Sequence, residues 1–274
     1  MDFLDGSFVR SVGIVLRRQG KSMRVFVAAS RKGGSGKTVT SRHLAVAATR
    51  AGVARVALVD LDPMQGLSRW WKRRPEDGIE LIDLSPADMP RDTPPQRIAA
   101  AQAAAERLAG AIPSLAEQGF GLTIVDTPPA ADRIVQLAVE AADLVVVPVR
   151  PSPDDLDAVG ETADLVTAAG RPMVFVVNSA TKRARLTSDA AIALSQHGTV
   201  APAVLHRSDT YAASALDGLT VQEADPRGTP AQEVALLWQY VSKRVGLLTR
   251  DLANQLTEKP TLRVVGGRSR GAVR

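Results

Sequence analysis

Short apolar runs rich in Val, Ile and Leu recur along the chain and alternate with longer amphipathic stretches. Consecutive apolar positions are typical of parallel strands that are buried on both faces of a sheet. Seven such strands are predicted, at 24–30, 55–60, 79–84, 121–126, 144–149, 173–178 and 200–205. The intervening stretches predict helices at 37–51, 66–74, 95–118, 131–141, 155–169, 185–197 and 230–256. This alternation favours a doubly wound α/β fold, with a mostly parallel sheet of about seven strands and helices on both faces.

The length of 274 residues suits one large α/β domain, which we expect at 23–258. Residues 1–22 are interpreted as an N-terminal extension, because Met23 directly precedes the first predicted strand. Residues 259–274 are interpreted as a basic C-terminal tail. Of the formal net charge of +5, the two ends carry +3 and +4, which leaves −2 in the middle of the chain. The basic character belongs to the ends, and basic ends often contact polyanions.

Several classes of protein are excluded by composition. The chain has no cysteine, which rules out a disulfide framework, a thiolate zinc site and a cysteine-bound iron–sulfur cluster. No run approaches the roughly 20 apolar residues that span a bilayer. The apolar run 8–16 is interrupted by Arg10 and Ser11 and lacks a small-residue cleavage site after it. We therefore expect a cytoplasmic protein.

A glycine-rich segment joins the first predicted strand to the first predicted helix. Glycines allow consecutive N–H groups to point at one anion, and a helix N-terminus adds positive potential there. Lys37 can reach the β and γ phosphates of a nucleotide while the Thr38 hydroxyl binds Mg²⁺. The segment therefore predicts ATP and Mg²⁺ as cofactors. The predicted nucleotide-binding residues of this segment are Lys32, Gly33, Gly34, Ser35, Gly36, Lys37, Thr38 and Val39.

The lysine at the second position of this loop is not needed in an ordinary phosphate loop. The pattern Lys-Gly-Gly-x-Gly-Lys-Thr resembles the deviant Walker A motif of ParA and MinD ATPases. In that family the matching lysine crosses a two-fold interface to the phosphates of the partner's nucleotide. The resemblance therefore implies a P-loop ATPase that forms a homodimer with ATP bound, with Lys32 and Lys37 among its catalytic residues. Such an interface would report the nucleotide state.

The second predicted strand ends in Asp60-Leu61-Asp62-Pro63, where the carboxyl end of the strand should face the phosphates. This segment resembles the family's Asp-x-Asp-Pro motif. The resemblance assigns to Asp62 the catalytic positioning of the attacking water, and to Asp60 a place in the magnesium shell. The family usually has Gln after the proline, whereas this chain has Met64 and then Gln65. Trp70 resembles a tryptophan of short partition ATPases, although a core aromatic is an equal alternative.

Two further strand ends complete the predicted site. Asp126-Thr127-Pro128-Pro129 follows the fourth strand and resembles the family's Walker B and second switch, so Asp126 should hold Mg²⁺ through water. The alternative is that such carboxylates only cap helices. Asn178 ends the sixth strand, and its amide can pair with the donor and acceptor edge of adenine, as the matching residue does in relatives.

The resemblance also implies partners. ParA relatives with ATP bound coat DNA without sequence preference, and a partner protein triggers hydrolysis. This implies non-specific DNA, a ParB-like stimulating partner, a nucleoid-associated location and a role in plasmid or chromosome partition. A charge cluster can also be plain solvated surface. The candidate DNA contacts are Lys182, Arg183, Arg185, Arg207, Lys243, Arg244 and Arg250.

An alternative function shares the same ATPase core: a MinD-like or orphan ParA-like ATPase that positions a protein or membrane-associated cargo. Membrane binding is not expected, because 261–274 contains few large apolar residues for a C-terminal amphipathic helix. A short basic amphipath at 3–18 is the remaining route to lipid. An ATP-dependent amidase or synthetase is a further alternative, but we find neither a glutaminase segment nor a cysteine nucleophile.

Overall fold

The computed structural model describes residues 23–85, 94–129 and 133–247. The predicted extension at 1–22, the predicted tail at 259–274 and Arg250 lie outside the described residues. No helix of the described ranges combines the length and the hydropathy needed to cross a bilayer. The strands are β1 (Arg24–Ala28), β2 (Val56–Asp60), β3 (Ile79–Asp83), β4 (Leu122–Asp126), β5 (Leu144–Val149), β6 (Met173–Ala180) and β7 (Leu205–His206).

At least one helix separates each pair of consecutive strands in the described residues. Their bounds are α1 (Lys37–Arg50), α2 (Gly66–Trp71), α3 (Pro94–Glu117), α4 (Arg133–Ala141), α5 (Pro153–Asp157), α6 (Val159–Ala168), α7 (Arg185–Ser195), α8 (Thr210–Leu216), α9 (Val221–Ala224) and α10 (Thr229–Arg244). The strands form one seven-stranded sheet in the order β3-β2-β4-β1-β5-β6-β7. Every strand pair is parallel, which confirms the predicted fold class.

The strand order places β1 at the centre, with β2 to β4 on one side and β5 to β7 on the other. In open α/β sheets, ligands bind outside the carboxyl ends of the strands where the winding direction reverses. The glycine-rich loop follows β1 directly, so it lies at this crevice.

Both faces of the sheet are buried under helices. Successive residues of β1 point to opposite faces, so Val25 and Val27 join one apolar cluster while Phe26 joins the other. The first cluster includes residues of α3, α4, α6 and α7. The second includes residues of α1, α2, α9 and α10. Two covered faces explain why the strands are continuous apolar runs rather than alternating ones.

Three predicted elements differ from the structure, and two helices were not predicted. The strand predicted at 200–205 was wrong: only Leu205–His206 pairs with β6, and Val200 forms a single bridge to Phe175. Pro202 lacks an N–H and cannot support a ladder at that point. The helix predicted at 155–169 is divided into α5 and α6 at Ala158. Helices α8 and α9 were not predicted at all. The final helix ends at Arg244, before Gly246 takes a positive φ of 70°.

Candidate nucleotide-binding site

The loop between β1 and α1 has the shape of an anion cradle. Gly34 and Gly36 have φ angles of 74° and 105°, which favour glycine. A Cβ on Gly36 would lie 2.0 Å from Nδ2 of Asn178, so no side chain fits there. Helix α1 starts immediately after this loop with no side-chain cap and no acidic residue in its first turn. The positive end of the helix is therefore left for a negatively charged ligand.

Lys37 is the buried first residue of α1, at the end of this loop, and no carboxylate in the described ranges is paired with its ammonium. Its Nζ donates to the carbonyl oxygens of Ser30 at 3.1 Å and Lys32 at 3.3 Å. Burial lowers the pKa of Lys37, while the charges of Asp126 and Asp62 oppose that shift. A buried cation without a paired anion is costly, and phosphate oxygens would supply the missing negative charge.

The predicted magnesium ligands Thr38 and Asp126 lie side by side. The Thr38 hydroxyl donates to Oδ2 of Asp126 at 2.6 Å, and the Ser41 hydroxyl lies 3.3 Å from Oδ1. Asp126 is fully buried, and burial raises its pKa to about 7; the Thr38 hydrogen bond opposes the rise and the negative charge of Asp60 adds to it. A buried carboxylate whose pKa is raised in this way is well suited to bind a divalent cation, because the positive charge of the cation would favour the ionised carboxylate.

Mg²⁺ fits these residues because it keeps most of its waters and needs only one or two protein ligands beside the phosphates. The described residues contain no cluster of three or more acidic, histidine or cysteine ligands, and none is required for this mode of binding. Mg²⁺ would neutralise charge that develops on the phosphate oxygens during hydrolysis. Thr38 and Asp126 would hold it beside the loop.

Asp60 is engaged by protein donors on both oxygens. Its Oδ1 accepts from the backbone N–H of Asp62 at 3.0 Å, and its Oδ2 accepts from the N–H and the hydroxyl of Ser68, each at 2.8 Å. Burial raises the pKa of Asp60, and these hydrogen bonds oppose the rise. The visible role of Asp60 is to join the Asp62 segment to the start of α2. Its place in the magnesium shell stays a prediction.

The segment after Asp60 puts Asp62 at the entrance of the site, half-buried and within electrostatic range of Lys37. Its Oδ1 accepts from the N–H of Met64 at 2.9 Å, which closes a tight turn. Met64, at the position where glutamine is usual, is 68% exposed. Gln65 does not substitute for that glutamine, because its amide donates to Asp83 at 3.2 Å and to Ser85 at 3.0 Å.

Asn178 contacts the glycine-rich loop directly. Its Nδ2 donates to the carbonyl oxygen of Ser35 at 2.7 Å. This bond joins β6 to the glycine-rich loop just before α1. Ser35 is itself buried, and its hydroxyl has no partner among the described residues. The pairing of Asn178 with adenine stays a prediction, which this position beside the loop favours.

The candidate DNA contacts do not all lie together. Lys182, Arg183 and Arg185 follow β6 and Arg207 follows β7, so these four lie near the carboxyl edge of the sheet. Arg185 is paired with Asp189 of its own helix at 3.5 Å.

Helix α10 starts near the same edge, where Glu233 accepts from the N–H of His206 at 2.9 Å. Lys243 and Arg244 follow about 15 Å further along that helix. The structure therefore does not bring Lys243 and Arg244 together with the other four.

The site was incompletely predicted from sequence. Ser41 and Ser68 hold the two buried aspartates, but a serine in a helix carries no signal of that role before the fold is known. Asp155, which pairs with Arg150 beside the loop, was also missed. Its only signal was the Ser-Pro-x-Asp sequence typical of a helix start.

Comparison with known proteins agrees with this geometry. The sequence model of the family described as ATPase MipZ matches residues 24–192, more than half of the chain. The chain belongs to the MipZ ATPase family. Proteins of this ParA/MinD type are P-loop ATPases, so the chain is an ATPase that uses ATP with Mg²⁺. The predicted family, fold and cofactors are confirmed.

Two curated relatives of this ATPase share one description, Maintenance of carboxysome distribution protein A. The protein of Gloeobacter kilaueensis is 38% identical over 141 residues, which cover 51% of this chain and 55% of the relative. The protein of Halothiobacillus neapolitanus is 27% identical over 216 residues, which cover 75% of this chain and 89% of the relative. Among solved structures, the ATP complex of a Cyanothece McdA variant has a TM-score of 0.66 at 19% identity, covering 83% of this chain and 98% of that one. That structural similarity supports the fold.

Proposed function

We propose that this chain is an ATP-driven positioning switch that distributes a protein cargo. In this proposal ATP closes a homodimer, the dimer binds DNA without sequence preference, and hydrolysis stimulated by a ParB-like partner releases it. The observation that carries the cargo assignment is the similarity to two proteins named for carboxysome distribution, one of which matches 75% of this chain. The cargo itself is defined only as a protein assembly.

The position of Lys32 supports ATP-dependent dimerisation. Its side chain is 38% exposed and does not enter its own phosphate cradle, which Lys37 occupies. Its Nζ lies 3.8 Å from Asp154, a carboxylate that is 81% exposed. An exposed ion pair of this length contributes little, so Lys32 is available to a stronger anion on a second copy. A triphosphate facing it across a two-fold axis is such an anion.

The carboxyl edge of the sheet supports DNA binding in the ATP state. Lys182, Arg183 and Arg207 are exposed there and take part in no ion pair within the described ranges. Closing a dimer would double this set of cations on one assembly. Contacts of this kind are made to phosphates and weaken steeply as salt is raised.

The test uses the Asp62→Ala variant, which is expected to hold ATP without hydrolysing it, and a fluorescent duplex of arbitrary sequence. We expect binding with ATP and not with ADP, and a loss of binding when Arg207→Glu is added. Arg171→Glu is the matched control, because Arg171 is exposed at the opposite edge of the sheet, just before β6. Equal binding with both nucleotides would contradict the switch, and equal loss in both charge reversals would contradict the assigned surface.

The cargo assignment is tested in the native host. Removing the gene should cluster a tagged protein assembly encoded beside it, while marked plasmids and chromosomes are inherited as before. Loss of plasmid or chromosome inheritance with an unchanged assembly would instead support partition, which the ParA resemblance implied. Restoration by the wild-type gene, and not by the Asp62→Ala gene, would show that the phenotype depends on turnover.

A further inference from the structure

Arg150, which follows β5, is fixed beside the phosphate loop by one buried carboxylate. Its Nε lies 3.2 Å and 3.1 Å from the two carboxylate oxygens of Asp155, and its Nη2 lies 3.0 Å from Oδ2. The side chain of Asp155 is 2% exposed and that of Arg150 is 38% exposed. A guanidinium held by two of its three nitrogens has a defined plane and direction.

Asp155 is itself rigidly placed. It lies in the first turn of α5, where Ser152 is the N-cap and accepts from the N–H of Asp155, and the Ser152 hydroxyl donates to Oδ2. Pro153 occupies the start of that helix. Burying a carboxylate is costly unless it is paired, and Arg150 is the only cation paired with Asp155 in the described residues. The arrangement therefore orients one arginine.

The remaining nitrogen of Arg150 faces the loop. Nη1 lies 3.6 Å from the place where a Cβ on Gly34 would be, and it has no hydrogen-bond partner among the described residues. Gly34 lies between Lys32 and Lys37 in the sequence of the cradle. An unpaired, pre-oriented N–H edge beside an anion cradle is the geometry that binds a phosphate oxygen most effectively.

We propose that Arg150 is a third cation of the phosphate site, with Nη1 donating to the terminal phosphate of the ATP bound in its own loop. Asp155 is then a positioning residue that acts through Arg150. This proposal rests on nucleotide occupying the phosphate loop, and it does not depend on dimerisation or on the cargo. Neither residue was among the site residues predicted from the sequence.

The test is calorimetric binding of ADP and of a slowly hydrolysed ATP analogue, both with Mg²⁺. A hydrogen bond to a charged group contributes about 1.5–3 kcal/mol, so Arg150→Ala should weaken binding of the ATP analogue about tenfold to a hundredfold. Binding of ADP, which lacks the terminal phosphate, should change about threefold or less. Arg150→Lys keeps the charge but loses the two-point attachment to Asp155, so it should give an intermediate loss. Arg171→Ala is the control and should change neither affinity.

Asp155→Asn tests the positioning role. It should lower the affinity for the ATP analogue more than that for ADP, and the Arg150→Ala, Asp155→Asn double variant should bind no more weakly than Arg150→Ala alone. A purely structural role would weaken both nucleotides equally and would make the two changes additive. If Asp155→Asn does not fold, the two Arg150 variants decide the matter.

Arg150 could contact the nucleotide of its own chain or that of a second copy. The two cases are distinguished by repeating the measurements with Lys32→Ala, which should not close a dimer. Persistence of the selective loss in that background supports contact with the nucleotide of the same chain. Its disappearance there, or equal loss of ATP analogue and ADP in any background, would overturn the proposal. A Lys32→Ala protein that still dimerises would contradict the proposed switch, and the selective loss would then be measured at a concentration low enough to keep the protein monomeric, where its disappearance would overturn the proposal.

Discussion

His43 provides a sharp test of how the phosphate-loop helix is joined to the rest of the domain. The ring is buried in α1, with Nδ1 2.7 Å from the carbonyl oxygen of Val39 and Nε2 3.2 Å from the backbone N–H of Val221. A carbonyl only accepts and a backbone N–H only donates, so the imidazole must be neutral with its proton on Nδ1. Protonation of Nε2 would break the bond to Val221 and place a charge beside Arg42.

The size of the expected loss in folding stability follows from the pKa of His43. Burial, and then the charge of Arg42, lower the pKa of His43 to about 3, while the hydrogen bond to Val39 opposes the shift. A histidine whose pKa is lower in the folded state contributes stability above its unfolded pKa of about 6.5 and loses it as the pH falls toward 3. Each pH unit in that window costs about 1.4 kcal/mol, so acidification to pH 5 should remove about 2 kcal/mol.

The assay is urea unfolding between pH 7.5 and 5 for the wild type, His43→Gln and His197→Gln. His43→Gln should be less stable at pH 7.5, but it should lose about 2 kcal/mol less than the wild type on acidification. His197 is exposed, and His197→Gln is the control for replacing an imidazole outside α1. The rise in the pKa of Asp126 is common to all three proteins and cancels in the comparison. Equal slopes in the wild type and His43→Gln would refute this assignment.

Three further predictions concern hydrolysis, the glycine-rich loop and the ion pair between Arg74 and Glu223. Asp62→Ala should bind Mg²⁺ and ATP normally but lose phosphate release, and full turnover would contradict the role of Asp62. Gly36→Ala should lose most nucleotide affinity in calorimetry, since a Cβ there has no room; unchanged affinity would disprove the tight packing. Glu223→Ala should lower the free energy of unfolding in urea by about 3–5 kcal/mol, because it strands the buried guanidinium of Arg74, and a loss below about 1 kcal/mol would show that the pair is dispensable.

The fold was largely predictable because its strands are buried on both faces. An apolar run such as 144–149 must lie between two layers of helices, and β5 has those bounds in the structure. Elements held by tertiary contacts were not predictable. Helix α9 has only four residues, and it is held by the Thr220–Glu223 capping box and the contact of Glu223 with Arg74. Local propensity alone does not specify so short a helix.

The site residues that belong to one continuous sequence motif were predictable. Those that depend on contacts between residues far apart in the sequence were not. Lys37 and Thr38 belong to one continuous motif, so their places follow from it. The attachment of Asp60 to Ser68 and the direction of Arg150 depend on how helices pack at the sheet edge, and no local pattern encodes that. The separation of Lys243 from Arg207 has the same origin, since it arises from the direction of α10 across the sheet.

The most direct test of the proposed switch is sedimentation velocity of the Asp62→Ala protein with Mg²⁺ and either ATP or ADP. We predict a dimer with ATP, a monomer with ADP, and a monomer with both nucleotides once Lys32→Ala is added. Calorimetry in parallel should show that the Lys32→Ala protein still binds ATP through its own loop. A monomer with bound ATP, or a dimer that forms equally with ADP, would contradict the claim that the nucleotide closes two copies of this chain together.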